Sequence, residues 1–104
     1  MEQTGADIFQ ALADPSRRHI LQLLSTGSMT INALAKNFEM SRPAVSKHIR
    51  ILNETGFISI EDKGRERYCF LKEEGFEQMR AWLSYYDDFW KEKLTALEQL
   101  LNKS

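Results

Sequence analysis

At 104 residues, with 42% hydrophobic and 28% charged side chains, the chain suits one compact soluble domain and leaves little room for a second. It has no bilayer-length apolar run and no charged-then-apolar leader, and its only cysteine, Cys69, has no intrachain partner; these features point to a reducing cytoplasm and no membrane span. The net charge of −1 excludes a uniformly basic protein but hides an asymmetry: three acids and no Lys or Arg in residues 1–14, nine basic against five acidic side chains in 15–67, and five against seven in 68–104. A polyanion contact therefore belongs to the middle of the chain.

Asp7 to Ala13 places Ile8, Phe9, Leu12 and Ala13 at helical spacing. Asp14-Pro15 stops that helix and starts another, with Asp14 as cap and Pro15 in the first turn. The second helix, Ser16 to Ser25, turns Ile20, Leu21, Leu23 and Leu24 to one face and ends before Gly27. Residues 7–25 are thus an N-terminal helix pair. Thr30 caps a third helix, TINALAKNF, with Ile31, Leu34, Ala35 and Phe38 inward. After Glu39-Met40, Ser41 caps a fourth, with Pro43 tolerated in its first turn and Gly56 ending it. Two short helices joined by a tight turn, here 30–54, are the sequence form of a helix-turn-helix.

Phe57 to Ile60 and Arg67 to Leu71 alternate as strands around the polar turn EDKGRE, so 57–72 is a β-hairpin with a basic tip. From Glu73 onward there is no proline and one early glycine, Gly75. Residues 73–103 are predicted to form one helix of about 30 residues, well beyond the usual globular length. The fold class is mainly α with a small β-hairpin: a single winged helix-turn-helix domain over 1–104 with a long C-terminal helix.

The fourth helix carries the chemistry. At 100° per residue Val45, Ile49 and Leu52 share one face, His48 lies at its edge, and Pro43, Ser46, Lys47 and Arg50 project opposite. Hydroxyls pair with donors or acceptors on base edges, and Lys or Arg reaches guanine O6 and N7. Ser41 and Arg42 stand at the N-terminal end, where free N–H groups favour a phosphate. Lys63, Arg65 and Arg67 offer further cations at the hairpin, partly neutralised by Glu61, Asp62 and Glu66. Candidate DNA-binding residues are therefore Ser41, Arg42, Ser46, Lys47, Arg50, Lys63, Arg65 and Arg67.

ALADPSRRHILQLL (11–24), SRPAVSKHIRILNETGFI (41–58) and KGRERYCFL (63–71) together resemble the ArsR-type (ArsR/SmtB-like) winged-helix repressors across nearly the whole chain. The resemblance implies a dimeric DNA-binding protein, usually a repressor of its own operon, with the recognition helix at Ser41 to Glu54 and the wing at Lys63 to Arg67. Metal-sensing members carry a cysteine pair on the third or fourth helix, or Asp and His ligands on the last. This chain has no cysteine between Ala33 and Asn53, and its last helix has Asp87 and Asp88 but no histidine. No metal site and no cofactor is expected. The stretch WLSYYDDFWKEKLTALEQL (82–100) instead looks like a branch without metal sensing, in which the signal is a partner protein or protein concentration.

Phe76, Leu83, Trp90 and Leu97 recur every seven residues, with Met79, Tyr86, Lys93 and Leu100 as a companion series, close to a coiled-coil seam. These aromatics exceed what a small head can cover, so a homodimer interface is expected from Phe76, Met79, Leu83, Tyr86, Trp90 and Leu97, with Ile8, Phe9 and Leu12 of the first helix. The expected function is a homodimeric repressor of duplex DNA with an inverted-repeat operator, and the expected partners are double-stranded DNA and a second copy. The alternatives are a winged-helix protein-interaction module and a repressor sensing metal or redox state through Cys69. Nothing resembles a nucleophile–base pair or a phosphate-cradling loop, so no enzyme is expected. Cys69 suits a small buried strand position, His19 a packing position, and Arg17 and Arg18 either a phosphate or neighbouring acids.

Overall fold

The computed structural model describes residues 7–102. The elements follow as α1 (Ile8–Ala13), α2 (Pro15–Leu24), β1 (Met29–Thr30), α3 (Ile31–Ala35), α4 (Arg42–Glu54), β2 (Ile58–Lys63), β3 (Glu66–Leu71), α5 (Glu73–Ser84) and α6 (Asp87–Asn102). The expected class, mainly α with a small β-hairpin in a winged helix-turn-helix, is the one observed.

Local chemistry explains the helix starts. Asp7 and Gln10 form a reciprocal capping box on α1, Asp14 accepts from the Arg17 N–H at 3.1 Å, and Thr30 accepts from the Ala33 N–H at 3.0 Å. Pro15 and Pro43 occupy first turns, where their missing N–H groups cost nothing. Arg17 and Arg18 close the other end of α1. Arg17 Nε donates to the Ala11 carbonyl at 2.7 Å and its Nη2 to Gln10 at 3.0 Å, while Arg18 donates to Leu12 at 2.6 Å. Carbonyls that a helix end leaves unpaired are thereby satisfied, and these two arginines serve the α1–α2 corner.

The core gathers Ile8 and Ala11 from α1, Ile20, Leu21 and Leu24 from α2, Ile31 and Leu34 from α3, and Val45, Ile49 and Leu52 from α4, against Phe57, Ile58 and Cys69. Each fully buried branched side chain contributes roughly 1.5–3 kcal/mol relative to exposure. Phe57 is the largest fully buried side chain, and Phe76 of α5 meets its ring edge-to-face at 4.9 Å. Gly75 makes that approach possible, since a Cβ there would stand 2.8 Å from Phe57 Cδ1. The Gly75 N–H also donates to the Gly56 carbonyl at 2.8 Å, seating α5 on the end of α4.

Three features depart from the sequence reading. Met29–Thr30 is a third strand, paired antiparallel with β3 through Met29↔Cys69 and Thr30↔Tyr68, which gives the sheet order β1-β3-β2. The third helix ends at Ala35 rather than Phe38: Asn37 and Phe38 donate to the carbonyls three residues back, and the Asn37 side chain takes the Ala33 carbonyl. The expected single C-terminal helix is two. At Tyr86 the ladder tightens to the Leu83 carbonyl at 3.0 Å, and Asp87-Asp88 then suits a fresh N-terminus. The final residue of that predicted helix, 103, lies outside the described residues.

α6 has no buried residue. The radius of gyration is 18.6 Å and the long axis 65 Å, whereas a compact chain of this length has a radius near 13 Å. The protein is a packed head with a projecting helical arm.

Candidate nucleic-acid interface

α4 sits with one face in the core and one outside it. Val45, Ile49 and Leu52 are buried, while Pro43, Lys47 and Arg50 are exposed and Ser46 is half-buried, the division the helical spacing predicts. The helix is fastened at three points. Ser41 Oγ accepts from the Ala44 N–H at 3.3 Å. Arg42 donates to Asn32 Oδ1, tying α4 to α3. His48 Nδ1 lies 3.1 Å from Arg17 Nη1 and 4.0 Å from Asp14 Oδ2. A guanidinium only donates, so Nδ1 is the acceptor in that contact. Burial acts to raise the Asp14 pKa, but the Arg17 N–H, the charge His48 carries when protonated and the Arg17 guanidinium outweigh it and hold the carboxyl below its usual range.

The hairpin stands beside this helix. Its strands pair from Ile58↔Leu71 to Lys63↔Glu66, leaving a two-residue turn at Gly64-Arg65. Gly64 has a positive φ of +64°, and among the described residues no non-glycine has one, which fits a turn with glycine first and places Arg65 at the tip. Between α4 and the sheet opens a groove of about 560 Å³, lined by Ile31, Pro43, Ser46, Lys47, Ile49, Arg50, Asn53, Ile60 and Arg67. Four of the candidate residues, Ser46, Lys47, Arg50 and Arg67, meet there. Asn53, two turns beyond Ser46 on the same face, joins them and was missed, although its spacing of seven from Ser46 carried the signal.

The cations differ in how they are held. Arg50 lies 4.0 Å from Glu54, Lys63 3.8 Å from Glu61, and Arg67 donates to Asp62 at 3.0 Å. Lys63 also stands over the Tyr68 ring at 5.5 Å. Among the described residues, Lys47 and Arg65 face solvent with no acidic partner. Ser41 and Arg42 are exposed at the α4 N-terminus, outside the groove lining.

Cys69 is wholly buried on β3, and burial pushes its thiol up to about 11, only partly offset by Arg67. His19 packs edge-to-face on Phe38 at 5.1 Å. Among the described residues, no group of three His, Cys, Asp or Glu side chains converges as a metal site would require.

The residues expected at a subunit interface divide. Ile8 is in the core, and Leu12, Phe76 and Met79 pack against it. Phe9, Leu83, Tyr86, Trp90 and Leu97 remain 37–60% exposed. Phe9, Trp82 and Tyr86 form an aromatic chain with ring centroids 5.0 and 5.1 Å apart, and Leu94, Leu100 and Leu101 extend the apolar surface along α6.

A family model described as bacterial regulatory protein, arsR family, matches residues 14–59, from the α2 cap into β2. The transcriptional repressor SdpR of Bacillus subtilis is 36% identical over 77 residues, covering 74% of this chain and 86% of that protein. The chain belongs to the bacterial arsR regulatory family. The crystal structure of an ArsR family transcriptional regulator superposes on this arsR-family chain with a TM-score of 0.76 at 44% identity, covering 81% of it and 92% of the neighbour. A homodimeric winged helix-turn-helix DNA-binding domain from Mycobacterium bovis, a possible ArsR-family regulator, aligns with a TM-score of 0.62 at 25% identity over 78% of this chain and 75% of its own.

Proposed function

We infer that this arsR-family protein is a sequence-specific DNA-binding transcriptional regulator that acts as a homodimeric repressor on an inverted-repeat operator. The observation that carries this reading is the groove between α4 and the sheet, where Ser46, Lys47, Arg50 and Arg67 converge. Ser46, Lys47 and Arg50 read base edges in the major groove, joined by Asn53, whose amide suits adenine. Ser41 and Arg42 hold a phosphate at the α4 N-terminus, and Lys63, Arg65 and Arg67 act at the wing. Repression is supported by the related B. subtilis repressor.

The exposed aromatics and leucines of α5 and α6, with Phe9 of α1, supply the dimer surface, and the homodimeric M. bovis neighbour supports it. Twofold symmetry sets two α4 helices about 34–36 Å apart, one turn of duplex. The test is a fluorescence anisotropy titration against a duplex from the protein's own promoter, with a scrambled duplex as control, at two salt concentrations. Preferential, salt-sensitive binding at two subunits per site is the expected result. Equal and weak binding to both duplexes overturns the reading and favours a winged module that binds proteins.

A further inference from the structure

The wing is built from charges that cancel. From Glu61 to Arg67 stand three cations, Lys63, Arg65 and Arg67, and three acids, Glu61, Asp62 and Glu66. The cancellation is local and paired. Asp62 and Arg67 are direct cross-strand partners, and Arg67 Nε donates to Asp62 Oδ1 at 3.0 Å. Lys63 Nζ lies 3.8 Å from Glu61, whereas Arg65 at the tip has no acidic partner. Arg67 also lines the groove beside Arg50, so a guanidinium placed for the duplex is held by a carboxylate.

Both members of the Asp62–Arg67 pair are more than half exposed, and an ion pair in that setting is weak enough for a phosphate to displace. Attachment to arbitrary duplex scales with the cations free to neutralise phosphates, each of which releases counterions and steepens the salt dependence. Pairing withholds Arg67 from a loosely placed duplex. A duplex seated in register on α4 brings a phosphate close enough to take the guanidinium from Asp62.

We propose that Asp62 restrains the affinity of the wing: by holding Arg67, it weakens binding to the operator, which must break the pair, at least as much as binding to arbitrary duplex. This rests on the DNA-binding reading above. Glu61 acts on Lys63 in the same sense across its longer separation.

The test compares wild type, Asp62→Asn, Arg67→Ala and the double variant on the promoter duplex and the scrambled duplex over a salt series, with a thermal melt of each. Asp62→Asn is expected to tighten operator binding by about 2–5-fold, the worth of an exposed ion pair, and scrambled binding by no more than that, with the scrambled-duplex salt slope steepening by at most about 0.9. On the Arg67→Ala background the same substitution is expected to change binding to either duplex less than about twofold. Tightening of the scrambled duplex beyond that of the operator overturns the proposal. So does an effect that survives Arg67→Ala, because Asp62 would then act only by repelling phosphate, and so does no effect at all. A wild type that binds neither duplex instead overturns the DNA-binding reading, before any variant is compared.

Discussion

Gly75 and Cys69 show how tightly single positions are set in the head. A methyl group at Gly75 would press on the Phe57 ring at 2.8 Å, and Phe57 has no room to yield between the core and Phe76. Gly75→Ala is therefore expected to lower stability by about 1–3 kcal/mol, seen as a lower urea midpoint at unchanged slope. Cys69 is governed by burial. Its folded thiol ionises near 11 against an ordinary value of 9.0, so the stability tied to the neutral thiol is complete below the unfolded value and is lost as pH rises through the folded one. Unfolding midpoints should fall between about pH 9 and 11 in the wild type and much less in Cys69→Ala. The sequence already suggested a structural cysteine, since a small apolar residue fits a buried strand position. Gly75 read only as an early helical glycine, because the clash it avoids is with a ring eighteen residues away.

Among the elements, α4 and the hairpin carry the proposed DNA-binding surface. Lys47 and Arg50 are exposed, and exposed substitutions usually move stability by no more than about 0.5 kcal/mol. Lys47→Ala with Arg50→Ala should therefore leave thermal melting nearly unchanged while reducing operator affinity by at least about 30-fold, given about 1–3 kcal/mol per base contact. Anisotropy and a circular dichroism melt on the same sample check both halves. Arg65, free of acidic partners, should flatten the salt slope by about 0.9 when changed to Ala; an unchanged slope places the wing tip away from phosphate. α4 and the hairpin were legible because their rules are local: a Ser cap, a proline in the first turn, apolar residues on one face, a glycine turn. β1 was not legible, since two residues have no alternation and Met29–Thr30 becomes a strand only by pairing with Cys69 and Tyr68. The break at Tyr86 was hidden for a related reason. Residues 73–102 suit a helix throughout, and one shortened hydrogen bond divides it.

For the whole molecule, the contrast between head and arm is decisive. The head closes its own core, whereas α6 presents Trp90, Leu94 and Leu97 at 52–60% exposure. An isolated helix of sixteen residues is marginal in water, so its stability depends on being covered. Leu97→Asp sets a charge into that surface and is expected to turn a dimer into a monomer in sedimentation velocity while preserving the melting of the head. A variant that stays dimeric moves the interface to Phe9, Trp82 and Leu83. The seven-residue spacing pointed to this surface, yet Phe76 and Met79, the first members of that series, pack on the head. Thr30 joins the parts of the head. Its backbone pairs with Tyr68 in the sheet while its hydroxyl caps α3, and α3 is linked to α4 through Asn32 and Arg42. One residue thus locks the hairpin to the helices, and the span of the groove becomes a fixed gauge. In the proposed complex, opening or closing that gauge would strain the Thr30 contacts, which favours a duplex that flexes to meet it. Base steps that bend at low cost would then be favoured at positions no side chain reaches.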